Sequence, residues 1–384
     1  MILGVDVSTY LEELAHGAKY YDGSREIDPL DDFRANGVEY MRIRVWNCPY
    51  SEEGEAYLAG SCDLSHYLRL APLAKEKGYK LLMDLHYSDF WADPNKQMCP
   101  KAWAGLNLEE MTRAVFEFTE HCLQTAEKAG VAPDMVQVGN EITNGMLWPL
   151  GKLEQPDGSR GNYENFIQLV DAGCRACRKT VPKAKIILHL ERSNDQEVYR
   201  EFFTEMKKAN VDFDIIGASY YPYWHGTPDQ LFANLNACKA FNKEVMVMEL
   251  GYGFTDKPYS QNGEAKRLVI EGDRAYVPGL TEQYPMTPEG QASFVRDFLK
   301  KAAQNGIAGV FYWEPLWLPG EGICWASPAG QAYIHEEGKS VSNEWANQCL
   351  FDYNGQKLPA FQEFCQKLLV DFVQKDDALF CKNC

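Results

Sequence analysis

Two glutamates, Glu141 and Glu249, each close a short apolar run, and a pair of carboxylates so placed is the minimum equipment for hydrolysing a glycosidic bond. The first lies in MVQVGNEITNGMLWPL (Met135–Leu150), where Asn140 offers an amide to a sugar hydroxyl and Gly139 allows close approach. The second ends the run in EVMVMELGYG (Glu244–Gly253). In a retaining reaction one carboxyl attacks the anomeric carbon while the other, about 5–5.5 Å away, acts first as acid and then as base. We assign Glu141 as acid/base and Glu249 as nucleophile. A nucleophilic carboxylate must stay ionised and therefore needs donors, for which Arg44 and either Tyr220 or Tyr221 are the candidates. His86 is placed to tune the acid or touch substrate, or to serve as a structural donor. Trp313 would floor the sugar being cleaved, with Trp91 and Trp148 along the groove beyond it; any one of these rings could instead be core packing. Asp6, Asp84 and Asp89 read as acids that hold neighbouring arginines and histidines in place.

These residues need a frame that brings remote strand ends together. Strand-like runs at Ile2–Ser8, Tyr40–Trp46, Lys80–Leu85, the start of Met135–Leu150, Lys185–Leu190, Asp214–Ser219, Glu244–Leu250 and Gly309–Trp313 alternate with helical periodicity, the helices including Asp63–Lys77, Leu108–Ala129 and Tyr163–Thr180. Eight strand–helix units in strict alternation predict an α/β fold, a single (β/α)8 TIM barrel over residues 1–384 with long loops after strands 7 and 8. An open doubly wound sheet would want a glycine-rich phosphate loop after the first strand, and the sequence has none there. In YMRIRVW, Arg42 and Arg44 alternate with apolar residues and so share one face, where each requires an anionic partner. A closing helix is expected from Leu358 to Gln374.

A formal net charge of −17 argues against nucleic acid or an anionic membrane as partner. No run is apolar for the roughly 18 residues of a membrane span, and a secretory leader is taken to be absent by trimming, so an extracellular, cell-surface or periplasmic location is expected. The 9 Trp and 21 Tyr suit stacking on sugar rings. Of the 12 cysteines, Cys48 with Cys62 and Cys324 with Cys349 bracket loops and could close them as disulfides; Cys174 and Cys177 read as buried thiols on one helical face, and Cys381 and Cys384 form a weak second pair.

The runs RIRVWN (Arg42–Asn47), LHYSDFWADPNKQ (Leu85–Gln97), PKAW (Pro100–Trp103), VQVGNEITNGMLWP (Val136–Pro149), SYYPYWHGT (Ser219–Thr227), VMELGYGFT (Val247–Thr255) and YWEPLW (Tyr312–Trp317) resemble glycoside hydrolase family 53, the arabinogalactan endo-β-1,4-galactanases. The resemblance covers essentially the whole chain. It implies a clan A barrel, retention of configuration, the acid/base at Glu141, the nucleophile at Glu249, and β-1,4-galactan side chains of pectin, or galacto-oligosaccharides, as substrate. It implies no cofactor for the chemistry and a monomer. Some bacterial members carry a structural calcium in a late loop, for which no ligands align here. Leu250 departs from the family pattern, which commonly has Ser or Thr after the nucleophile. The rivals are a related clan A barrel acting on mannan or cellulose and a non-catalytic glycan-binding barrel.

Overall fold

The eight apolar runs pair side by side, every one parallel to its neighbours, and the last returns to the first in a closed barrel. The structure is a computed structural model and describes residues 1–365. Its strands are β1 (Ile2–Asp6), β2 (Tyr40–Val45), β3 (Lys80–Leu85), β4 (Met135–Val138), β5 (Lys185–Leu190), β6 (Ile215–Tyr220), β7 (Glu244–Leu250) and β8 (Gly309–Tyr312). Between and after them run α1 (Pro29–Ala35), α2 (Leu64–Glu76), α3 (Leu108–Lys128), α4 (Tyr163–Thr180), α5 (Gln196–Lys208), α6 (Pro228–Cys238), α7 (Pro288–Gln304) and α8 (Pro359–Phe364). The helices start where side chains replace missing backbone partners: Asn107 and Glu110 form a reciprocal cap on α3, as Thr227 and Gln230 do on α6.

Alternation sorts each strand into two faces. Val5, Ile43, Leu81, Val136, Leu188, Val247 and Val310 point outward into the layer shared with the helices. Tyr40, Leu82, Met135, Ile187, Ile215, Met246, Met248 and Phe311 point inward and plug the barrel as an apolar floor. Gly4 is required there, since a Cβ on it would stand 2.2 Å from the Phe311 ring. Above the floor the interior turns polar: Asp6, Arg42, Arg44, Asp84, Gln137, His189, Ser219 and Glu249 are all buried. A layer of charge over a sealed apolar floor can face only the carboxyl-terminal mouth.

The long segments after β7 and β8 are braced against each other. Asn347 donates through Nδ2 to the carbonyls of Thr255 (2.8 Å) and Ile270 (2.9 Å), and Asn343 to that of Trp317 (2.7 Å). Within them lie a helix at Pro328–Tyr333 and a ribbon pairing Ser260–Gln261 with Glu264–Ala265, neither of which the hydrophobic periodicity indicates.

The cysteine pairing is a correction. Cys48, Cys62, Cys324 and Cys349 are free thiols, the last donating to the carbonyl of Trp317 at 3.0 Å. Cys174 and Cys177 are buried in α4. The expected helix is seen as α8, and its extension to Gln374, like Cys381 and Cys384, lies outside the described residues.

Glu12, on the short helix Tyr10–Ala15, is buried with one carboxylate oxygen lacking a hydrogen bond. Burial, opposed by Arg44 and reinforced by Glu314, pushes its carboxyl up to about 8. Between the ordinary value of 4.5 and that point the folded chain holds a proton the unfolded chain has released, so folding weakens as pH rises through this window. Glu12→Gln removes the group, and the melting temperature of the variant should rise relative to wild type between about pH 5 and about pH 8, then hold level. Thermal melts across that range read the gap; a gap that does not change with pH contradicts the assignment.

Candidate active site

Glu141 leaves β4 through a turn that no ordinary strand end makes. Gly139 has φ 81° and Glu141 itself φ 49°, ψ 48°, a left-handed conformation that costs a non-glycine residue energy and clusters at functional sites. Its side chain lines the cavity at the barrel mouth, and its single hydrogen-bond partner is the Ser219 hydroxyl, 2.6 Å from Oε1. Burial first, then the Glu249 and Glu191 carboxylates, raise its carboxyl well above the usual range.

Glu249 sits among donors. Arg42 Nη1 lies 3.0 Å from Oε1, and the Tyr221 hydroxyl donates to Oε2 at 2.9 Å. Burial raises this carboxyl too, but Arg42 and Tyr221 pull it back down. The expectation that Arg44 would serve Glu249 is corrected: Arg44 contacts Asp6 (3.2 Å) and Glu314 (2.6 Å) and lies under the Trp91 ring at 4.4 Å. Two residues back along a strand means one level deeper in the barrel, and Glu249 meets the deeper arginine. Tyr220 is also corrected. Its hydroxyl donates to the Gly226 carbonyl (2.8 Å) and its ring stacks on Phe298 of α7, on the outer face, whereas Tyr221 turns inward.

An oxygen of each glutamate and a ring nitrogen of His189 lie within 4.8 Å of one another. That trio has the makings of a metal site, the one such group of His, Cys, Asp or Glu side chains among the described residues. Yet the His189 nitrogens face Asn140 Oδ1 (3.0 Å) and Ser219 Oγ (2.9 Å), which leaves a cation two carboxylates and no free nitrogen. The arrangement suits a pair of carboxyls acting on one atom between them. They open onto a cavity of 670 Å³ whose lining includes Trp91, Trp224, Trp313, Trp325, Glu191 and Arg192.

Other expected residues take definite positions. Asn140 lines the cavity; its Oδ1 accepts from Arg42 Nη2 (2.8 Å), and Nδ2 donates to the Ala92 carbonyl (2.9 Å), which leaves one amide hydrogen for a ligand. His86 also lines it, with Nε2 3.0 Å from Asp84 and Nδ1 accepting from the Ala92 amide at 3.2 Å, so both ring nitrogens are engaged within the protein. Trp91 and Trp313 line the cavity, but Trp148 does not: its indole donates to the Asn144 carbonyl (2.9 Å) and its ring faces Lys152. Leu250 belongs to the sheet–helix layer, so the exchange of a small polar residue for a bulky apolar one falls on the outer face, away from the carboxylates.

Arg42, which the sequence marks only as a cation needing an anionic partner, and His189, Ser219, Glu191 and Trp325, which it does not single out, complete the lining and support of the site. Strand parity holds the signal for three of them, since Arg42, His189 and Ser219 fall on the inward face of their strands.

A sequence model of glycosyl hydrolase family 53 matches residues 2–364. The chain belongs to this family. It is 36% identical to the endo-β-1,4-galactanase of Bacillus subtilis (strain 168), over 94% of this chain and 85% of that protein. It is 30% identical to the arabinogalactan endo-β-1,4-galactanase of Cellvibrio japonicus, over 82% of this chain and 80% of that protein. The Ignisphaera aggregans GH53 catalytic domain superposes with a TM-score of 0.83 at 36% identity, covering 94% of this chain and 95% of that one. As a family 53 member the protein is a glycosidase with a (β/α)8 barrel.

Arg42 is the residue whose loss this family 53 barrel should tolerate least. Arg42→Met leaves Asp84 and Glu249 without an arginine, since Asp6 alone retains a second one, and should cost about 3–5 kcal/mol of folding free energy. Urea unfolding monitored by tryptophan fluorescence measures it, and a loss below about 1 kcal/mol, the range of an exposed pair, contradicts the role.

Proposed function

We propose that this protein is an endo-acting, retaining β-1,4-galactanase in which Glu249 is the nucleophile and Glu141 the acid/base. The observation that carries the reading is the approach of the two carboxylates to within 4.8 Å, one furnished with donors and the other nearly bare. An inverting pair would stand roughly 6.5–9.5 Å apart to admit a water between carboxylate and sugar, and the close approach here supports the retaining arrangement instead. The choice of galactan rests on the named activities of the relatives.

In the first step Glu249 bonds to the anomeric carbon as the glycosidic C–O bond breaks, and the Glu141 proton passes to the departing oxygen. Glu141, now a carboxylate, then removes a proton from water, whose oxygen attacks the same carbon and frees Glu249. Tyr221 and Arg42 offset charge on Glu249 before attack and again at its release. Several aromatic rings line the cavity around the two carboxylates, which suits binding of successive sugars of a chain; Trp224 is 40% exposed. The reading extends to galactan side chains of pectin and galacto-oligosaccharides as substrates, to a single catalytic domain acting as a monomer without cofactor, and to a place outside the cytoplasm. Among the described residues no helix is long and apolar enough to cross a membrane. Mannan and cellulose are the competing substrates; a higher kcat/KM on either than on linear galactan would overturn the choice.

Glu141→Ala and Glu249→Ala should each lower kcat on galactan by several orders of magnitude without unfolding the protein. Azide separates the roles: added to Glu249→Ala it should yield the α-galactosyl azide, and added to Glu141→Ala the β-anomer. Near-normal turnover in either variant, or exchanged anomers, contradicts the assignment.

Tyr221→Phe takes away a hydrogen bond that lowers the Glu249 carboxyl, so that carboxyl moves up. Because Glu249 must be ionised, the acidic limb of the kcat/KM profile should shift to higher pH and the maximum fall by about one to two orders of magnitude. An unmoved acidic limb counts against the contact.

A further inference from the structure

Glu191 stands immediately past β5, the barrel neighbour of the strand that delivers Glu141. It is 2% exposed, and among the described residues its carboxylate has only marginal partners, the Thr143 hydroxyl and Arg192 Nε at 3.7 Å. Its backbone amide is used, donating to Thr143 Oγ1 at 3.1 Å, and the Thr143 hydroxyl lies alongside the carboxylate. The nearest cation, Arg192, stays 3.7 Å from Oε1 through Nε because its Nη2 is drawn to Glu154 at 2.5 Å. A buried carboxylate this poorly matched is expensive, and such a group on the wall of a ligand cavity is one whose missing partner arrives with the ligand.

The position settles which part of the ligand it meets. Glu191 is among the charges that bear on Glu141, whereas Arg42, Tyr221, Asp6 and Asp84 are the groups that bear on Glu249. It therefore stands on the proton donor's side of the cleft. If Glu141 protonates the departing oxygen, the sugar beyond that oxygen is the leaving group, and its hydroxyls at C2, C3 and C6 are donors. A carboxylate accepts from such hydroxyls and cannot donate to them when ionised.

We propose that Glu191 is the hydroxyl acceptor for the leaving-group sugar, and so a positioning residue for the aglycone half of the substrate. This rests on the reading of Glu141 as acid. Burial pushes the Glu191 carboxyl up to about 7, so it can be charged near neutral pH, and binding a hydroxyl relieves the desolvation that raises it.

The test compares two leaving groups that need the same protonation and differ in hydroxyls. Wild type, Glu191→Gln and Glu191→Ala are assayed for cleavage of linear β-1,4-galactotetraose and for methanol release from methyl β-1,4-galactobioside. The loss of kcat/KM in the variants should be roughly tenfold to a hundredfold greater on the tetraose, the range for a hydrogen bond to a charged group. The near-isosteric Gln variant keeps the test valid if Ala perturbs folding. Equal losses on both substrates would make Glu191 a structural or electrostatic residue and overturn the proposal, as would no loss on either. Failure of the wild-type protein to cleave the tetraose would instead strike the galactanase reading itself.

Discussion

The Arg42 guanidinium is the one contact on which the rest of the barrel depends. It is fully buried at the axis and reaches Asp6 (2.9 Å), Asp84 (2.9 Å) and Glu249 (3.0 Å), and it donates to Gln137 (3.2 Å) and Asn140 (2.8 Å). Those partners come from β1, β3, β7, β4 and the turn after β4, so one cation ties together most of the ring. Burying a guanidinium with three carboxylates is costly unless nearly every donor and acceptor is matched, and Nε is the one Arg42 nitrogen left without a partner. The apolar floor follows from this demand, because water entering from below would compete for the same donors. Register follows too: a one-residue slip of β2 would turn both arginines into the sheet–helix layer.

The same cation makes the two glutamates chemically unequal. Both are buried, and burial alone would keep both protonated. Arg42 and Tyr221 hydrogen-bond to Glu249 and not to Glu141, which favours the proton of the pair on Glu141. The hydrogen bonds behind Glu141 reinforce this. Asn140 Oδ1 faces Arg42, a group that can only donate, so the adjacent His189 Nδ1 must carry hydrogen. His189 is held neutral by burial and by Arg42, which leaves Nε2 a bare acceptor facing Ser219. The single Ser219 hydrogen can then turn to Nε2 while Ser219 Oγ accepts from a protonated Glu141, and every atom is matched. With Glu141 ionised, Ser219 must donate forward and Nε2 meets only a lone pair. The chain of contacts from Arg42 thus favours a proton on Glu141 and none on Glu249.

Architecture was legible because it is written in periodicity. The bounds of β3, β5, β7 and α4 fall at the residues the alternation and the 3.6-residue period indicate, since those elements are packed on both sides or along one stripe. Glu141 and Glu249 were legible for a different reason, as charges ending apolar runs. What the pattern could not convey was level within the barrel. Arg42 and Arg44 share a face, and strand tilt alone decides which is opposite Glu249. Tyr220 and Tyr221 are consecutive and so point to opposite faces, but the residue at which β6 ends fixes which turns inward. Trp148 lies near Glu141 in sequence and outside the cavity in space because the left-handed turn carries the chain away. Glu191 carries no signal in its neighbours, as ERSND reads as an ordinary polar loop.

Selectivity has to be sought in the walls, since the floor and the polar layer serve the barrel before they serve a substrate. Trp325 and Trp345 come from the segment after β8, and Trp224 from the turn after β6. The Trp91 and Trp325 rings lie parallel, 1° between planes, with the Trp91 indole donating to the Trp325 carbonyl at 3.0 Å. Such a pair is set by contacts between loops, and the Asn343 and Asn347 side chains fix those loops by satisfying backbone carbonyls that would otherwise be stranded indoors. The aromatic wall is therefore held by amide side chains buried behind it, with the same logic of matched polar groups that holds Glu249. A groove built this way keeps its shape without substrate, and the binding energy of each sugar can go into orienting the bond over the two carboxylates instead of ordering the loops.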